Sequence, residues 1–107
     1  MPPLALREKD LATLEGIFRR YPSVREVRLF GSRASGRARR LSDIDLVFVS
    51  PGMSDAEWAR LRLDLDEAPI VYDIDAVRLD RLEDGPLKER IRRDARLVYS
   101  IEPVAIA

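Results

Sequence analysis

The sequence predicts a mixed α/β (α+β) domain, a small mixed sheet with helices packed against it. Three observations predict it. Segments with helical spacing of apolar residues alternate along the chain with short runs rich in β-branched residues. One such run, Ile44-Asp45-Leu46-Val47-Phe48-Val49, is apolar enough to be mostly buried. The 107 residues are one domain's length, and no linker, low-complexity tract or long-period repeat divides 1–107.

Met1-Pro2-Pro3 is a lead-in that cannot sit inside a helix. From about Leu4 to Tyr21, apolar residues at 4, 11, 14, 17, 18 and 21 mark one face of a helix, which Pro22 ends. Val24 to Phe30 alternates and reads as a strand entering the core. Gly31-Ser32 stops it; Ser32 to Gly36 reads as a short helical turn and Arg37 to Ser42 as loop. A second strand runs from Ile44 to Val49 and stops at Ser50-Pro51-Gly52. Ser54 and Glu57 have the spacing of a capping box, opening a helix that turns Trp58, Leu61 and Leu65 inward and ends before Pro69. Ile70 to Leu79 is a third strand, centred on Val71 to Val77. Gly85-Pro86 sets the start of a last helix, Leu87 to Tyr99, with Leu87, Ile91, Ala95 and Val98 on one face. Ile101 to Ala107 is an apolar tail suited to an edge strand or a partner's surface.

Composition narrows the chemistry. Cysteine and histidine are both absent. That removes disulfides, thiolate nucleophiles and imidazole bases, and argues against zinc. Carboxylates, hydroxyls, arginines, backbone amides and a hard metal ion are left. Lys+Arg and Asp+Glu both number 19, so the basic excess of a non-specific nucleic-acid binder is missing. No run has the length and apolarity of a signal peptide or a membrane span, and the expected location is cytoplasmic.

The stretch from Arg28 to Phe48 holds the best candidate site. Asp43 and Asp45, two apart on a strand, project from one face about 6.6 Å apart along the chain. Two carboxylates so placed repel each other unless a cation lies between them, and Mg²⁺, with oxygen ligands and substrate phosphate, fits. Asp-x-Asp alone is common among solvated strand ends. Gly31-Ser32 after a buried strand adds to it: glycine permits a close backbone turn, the following amides can cradle phosphate oxygens, and Ser32 adds a hydroxyl donor. Arg33, Arg37, Arg39 and Arg40 follow, with no acidic residue between Gly31 and Ser42. Their plainer reading is a solvated loop. Tyr72-Asp73-Ile74-Asp75-Ala76-Val77 offers a further carboxylate; Asp73 and Asp75 share a face, so geometry alone does not choose between them. Asp64 and Asp66 lie near a helix end, where positions two apart diverge by about 200°, and cannot share a metal.

Gly31-Ser32, ten residues, then Asp43-x-Asp45 resembles the signature of the polymerase-beta-like nucleotidyltransferase superfamily. The form Leu29-Phe30-Gly31-Ser32-Arg33-Ala34-Ser35-Gly36 with Ser42-Asp43-Ile44-Asp45-Leu46-Val47-Phe48 is similar to its minimal nucleotidyltransferase (MNT) branch. The resemblance implies that fold, and a transfer of a nucleoside monophosphate from a triphosphate to a hydroxyl with release of pyrophosphate. It implies two Mg²⁺ ions held by Asp43, Asp45 and a third aspartate, and ATP gripped by Gly31, Ser32 and Arg33. In that family the third aspartate follows an apolar residue and precedes a strand running into Leu-Asp-x-Leu. Asp75, ahead of Leu79-Asp80-Arg81-Leu82, matches better than Asp73. The resemblance further implies a partner, a HEPN-domain toxin with RNase activity, to whose tyrosine AMP is transferred, with this chain as antitoxin. Two other readings stand beside it: an MNT-fold module that neutralises its partner by contact without catalysis, and transfer to a small molecule such as an aminoglycoside. No second domain is expected in 107 residues to bind the latter.

Overall fold

The computed structural model describes residues 5–35 and 43–101. The order is α1 (Glu8–Phe18), β1 (Glu26–Phe30), α2 (Ser32–Ser35), β2 (Ile44–Val49), α3 (Asp55–Asp66), β3 (Ile74–Arg78), a 3-10 turn (Leu79–Arg81), α4 (Pro86–Asp94) and β4 (Arg96–Ser100). The four strands form one mixed sheet in the order β3-β2-β1-β4. β1 is antiparallel to both its neighbours, and β2 is parallel to β3. The parallel pair needs a crossover, which α3 supplies.

One sheet face carries the main core. Val27 and Leu29 of β1 and Ile44, Leu46 and Phe48 of β2 point there and meet Leu14, Ile17 and Phe18 of α1 and Leu61 and Leu65 of α3. Aromatic edges join the layers: Phe18 lies 5.5 Å from Phe48 and 5.3 Å from Tyr99, and Phe48 lies 5.4 Å from Trp58. Val47 points the other way and is still buried, together with Ile91 of α4. The sheet is therefore covered on both faces at β2, as the apolar run implied.

α1 is shorter than its apolar pattern. It begins at Glu8, behind an Arg7–Asp10 pair at 2.8 Å that satisfies the buried Asp10 carboxylate. It tightens at its end, where Arg20 and Tyr21 donate to Ile17 and Phe18, three residues back. α3 opens on the expected capping box: Glu57 N–H donates to the Ser54 hydroxyl and Ser54 N–H to the Glu57 carboxylate. β3 starts at Ile74 rather than Ile70, where its pairing with β2 begins opposite Ile44.

The end of the chain corrects the sequence expectation. The helix predicted over 87–99 stops at Asp94, Ala95 turns extended at ψ 140°, and Arg96–Ser100 forms β4. Ala95 and Val98 match the helical period of Leu87 and Ile91 by coincidence. The free edge of β1 decides the outcome: β4 fills it with a register shift at Val27/Arg28, and Tyr99 reaches Phe18 in the core. The lead-in, Leu4, the expected loop at 37–42 with Gly36, and the tail after Ile101 lie outside the described residues.

Tyr21 fastens α1 to α3: its hydroxyl donates to the Asp64 carboxylate. Burial first, then that bond and the Asp64 charge, push the phenol from 10.0 up to about 12. The folded value lies above the unfolded one, so this stabilisation is whole below pH 10 and lost as pH rises through about 12. Tyr21→Phe is expected to cost about 1–2 kcal/mol at neutral pH and to flatten the alkaline fall in stability. Paired thermal melts of the two proteins from neutral to strongly alkaline pH check both effects.

Candidate active site

The strand register builds the site. Phe30 of β1 stands opposite Asp45 of β2, and Asp45 opposite Asp75 of β3. Paired residues on neighbouring strands share a face, so these three form a row at about 4.8 Å spacing. The next row is Arg28, Val47 and Val77. Asp43, two residues before Asp45, belongs to the same face. This is the face opposite the main core.

Asp43 and Asp75 are exposed and Asp45 is half-buried. Burial raises the Asp45 pKa, the Asp75 charge raises it further and the Asp43 charge adds to that; Arg33 pulls it down without cancelling the rise. Asp73 lies just outside β3, exposed, and contributes its backbone: its carbonyl accepts from Ile44 N–H at 2.8 Å.

Gly31 is built into this arrangement twice over. Its φ is +74°, a conformation other residues adopt only at a cost. A Cβ there would stand 2.6 Å from Asp45 Oδ2. The turn thus reverses directly against the carboxylate. Its carbonyl accepts from Ala34 and Ser35 N–H, both at 3.1 Å, which starts the single turn α2 with Ser32 half-buried at its head.

Arg33 points beneath the turn. It is 6% exposed. Its guanidinium donates to the Ala5 carbonyl at 2.6 Å and the Asp43 carbonyl at 3.3 Å, and stacks 4.2 Å from the Tyr72 ring centroid. Arg7 approaches the same ring at 5.5 Å. Arg33 therefore clamps the residue-31 turn, the start of β2 and the approach to β3 together, and its charge reaches Asp45 from below. Nothing local in the sequence marks Tyr72 for this role, since Arg33 lies far from it along the chain. Arg37, Arg39 and Arg40 lie outside the described residues. Asp64 faces Tyr21 and Arg20, away from this site.

A cavity of about 210 Å³ adjoins the carboxylate row. Its wall includes Asp45, Asp75 and Gly31 on one side and the α4 residues Leu87 and Ile91 on the other.

The donor set suits a hard divalent cation. Three carboxylates share one sheet face, and burial with their mutual repulsion outweighs Arg33 at Asp45. Among the described residues no three acidic side chains are drawn together as a finished ligand cage. Like charges stand apart in this way, and the exposed side chains of Asp43 and Asp75 have room to close on Asp45.

Comparison with known proteins identifies the family and the fold. The family described as Polymerase beta, Nucleotidyltransferase matches residues 12–103. A search of curated protein sequences finds no match. Among solved structures, a toxin–antitoxin crystallised with AMP-PNP superposes with TM-score 0.69 at 21% identity, over 87% of this chain and 75% of that one. The toxin–antitoxin MntA-HpeT, in a mutant with two aspartate-to-glutamate changes two positions apart, gives 0.66 at 18%, over 86% and 74%. At these identities the likeness is one of fold. No described helix is long and apolar enough to cross a membrane.

Gly31→Ala tests the turn. The strained φ is expected to cost about 1–2 kcal/mol, read as a lower melting temperature with the fold retained. Displacement of Asp45 should weaken Mn²⁺ or Mg²⁺ binding, measured by calorimetry, by about tenfold or more.

Proposed function

The chain belongs to the polymerase beta nucleotidyltransferase family, and from that premise we propose that it transfers AMP from ATP to a tyrosine hydroxyl of a HEPN-domain toxin and so acts as its antitoxin. The observation that carries the reading is the parallel register that sets Asp75 beside Asp45, on the face shared with Asp43 and next to the Gly31 turn. Two neighbours of like fold support the biological setting. Both are toxin–antitoxin structures, one holds AMP-PNP, and in the other the two altered aspartates have the spacing of Asp43 and Asp45.

Asp43, Asp45 and Asp75 would hold two Mg²⁺ ions. Such ions neutralise the triphosphate and lower the pKa of a bound hydroxyl. The Gly31-Ser32 turn would present backbone amides and the Ser32 hydroxyl to the outer phosphates at the head of α2. Arg33 adds charge from beneath and fixes the loop. Asp75, at the open edge of the row, takes the proton of the attacking hydroxyl. The hydroxyl oxygen bonds to the α-phosphorus, the bond from that phosphorus to the α–β bridging oxygen breaks, and pyrophosphate leaves with the electron pair. The protein's share of the rate lies in positioning and charge placement.

Incubation with ATP, Mg²⁺ and the HEPN partner is expected to add the mass of one AMP to the partner. Neutralisation of the toxin with no mass change would replace catalysis by contact binding. Asp43→Asn and Asp45→Asn should each lower the transfer rate about a thousandfold or more while the fold is retained. Asp75→Asn should be as inactive, and Asp73→Asn should stay within about threefold of the parent. The reverse order for the last two would move the third carboxylate to Asp73.

A further inference from the structure

β3 is an edge of the sheet, and among the described residues no strand covers its outer side. Its pairing with β2 is parallel and Ile44 N–H donates to the Asp73 carbonyl, so the backbone groups of residues 73, 75 and 77 turn toward β2. Those of Ile74 and Ala76 point away from the sheet. An edge of this kind is a template for a further strand unless something blunts it. The opposite edge, β4, is kinked by its register shift at Val27/Arg28. β3 keeps an unbroken register from Ile74 to Arg78.

A groove of about 480 Å³ adjoins this edge. Ala76 and Arg78 of β3, Asp55 and Trp58 of α3, and Arg81 and Leu82 beyond β3 line it. Apart from Val77 it shares no residue with the cavity beside the carboxylate row. Its charges do not balance. Arg78 is 7% exposed and its guanidinium stands 5.6 Å from the Trp58 ring centroid. One oxygen, Asp55 Oδ1, accepts from Arg78 at 3.1 Å and from Arg81 at 3.3 Å. Two guanidiniums thus share one carboxylate, and the Asp55 side chain is itself 83% exposed. The Arg78 Nε–H is buried and finds no acceptor among the described residues. Buried donors are rarely left in that state.

We propose that the β3 edge and this groove form a docking surface for an extended acidic segment of another protein chain, which joins the sheet as a further strand. The segment's backbone bonds to the outward groups of Ile74 and Ala76. Its side chains alternate, and those on the groove side meet Trp58, Leu82 and the arginines. A carboxylate there brings the negative charge that Arg78 and Arg81 lack, and lets Asp55 serve Arg78 alone. A basic segment would meet the excess positive charge, and a wholly apolar one would cover Arg81 without a partner. The arginines therefore select among the extended segments that a bare edge would take. A nucleic acid strand has no peptide groups for Ile74 and Ala76, so the edge favours a polypeptide. The surface stands apart from the catalytic reading: Arg78 shares the sheet face of its register partner Phe48, and the carboxylate row lies on the other face.

The test is NMR of the isotope-labelled full chain, titrated with acetyl-Thr-Val-Glu-Val-Thr-amide and with its counterpart carrying lysine in place of glutamate. The acidic peptide is expected to move the Ile74 and Ala76 amide signals and the Trp58 indole signal, and to bind about tenfold more tightly than the lysine peptide. Arg81→Glu should reverse that order and leave the melting temperature in place, since the Arg81 side chain is 62% exposed. Ala76→Pro removes an outward N–H, leaves the bonds to β2 and should abolish binding of both peptides. Still signals at millimolar peptide, equal binding of the two peptides, or an order unchanged by Arg81→Glu would overturn the proposal. Movement of the same signals with protein concentration alone would give the edge to a second copy of this chain. Movement with oligothymidylate and not with peptide would give the groove to a nucleic acid. Either result also overturns it.

Discussion

Everything in the candidate site depends on one parallel pairing. β2 and β3 run side by side with Asp45 opposite Asp75, and a sheet holds such partners about 4.8 Å apart whatever their charges. Like carboxylates so placed repel, which is visible in the raised Asp45 pKa, after the larger effect of its burial. The pairing persists because it is fixed by other residues. Leu46 and Phe48 bury their side chains on one face of β2 and Val47 on the other. A one-residue slip would turn all of them the wrong way. The core thus enforces a charge arrangement that the site alone would not adopt.

The same logic explains the pieces around it. α3 must cross over the sheet for β3 to lie parallel to β2, so its capping box and buried Leu61 and Leu65 serve the site at a distance. Gly31 lets the chain reverse so close to Asp45 that an added Cβ would stand 2.6 Å from its Oδ2. Arg33 then ties that reversal to the Asp43 carbonyl, to Ala5 and to the Tyr72 ring. Three segments distant in sequence converge on one buried guanidinium. Its place under the turn gives it two effects from one position: it fixes the loop and moderates the field at Asp45.

Legibility in the sequence followed the range of the interactions. Gly31-Ser32, Asp43-x-Asp45, β2 and the Ser54–Glu57 cap were readable because each is set by neighbours a few residues apart. The sequence left Asp73 and Asp75 on one face; in the register Asp75 stands opposite Asp45 and lines the cavity, while Asp73 precedes β3. The last helix failed for the same reason. Residues 95–99 have an acceptable helical pattern, and what turns 96–100 into a strand is the free edge of β1, nearly seventy positions away. The Arg33–Tyr72 stack and the cavity were out of reach, because both are made by segments that meet only in the fold.

The end of α4 also bears on the cavity beside the carboxylate row. Were α4 to continue to Tyr99, the edge of β1 would stay open and Phe18 would lose its contact with Tyr99. By stopping at Asp94, α4 is held in place: Ile91 is buried and lines the same cavity as Val47, and the chain leaving Ala95 is pinned into the sheet as β4. A helix of nine residues would be marginal alone. Anchored in this way, it becomes a fixed wall, and it keeps Leu87 and Ile91 at a set distance from Asp45 and Asp75. The carboxylate row defines where charge is handled, and α4 defines how much room lies beside it. That room is thus set from the far edge of the sheet, by the pairing of β4 with β1.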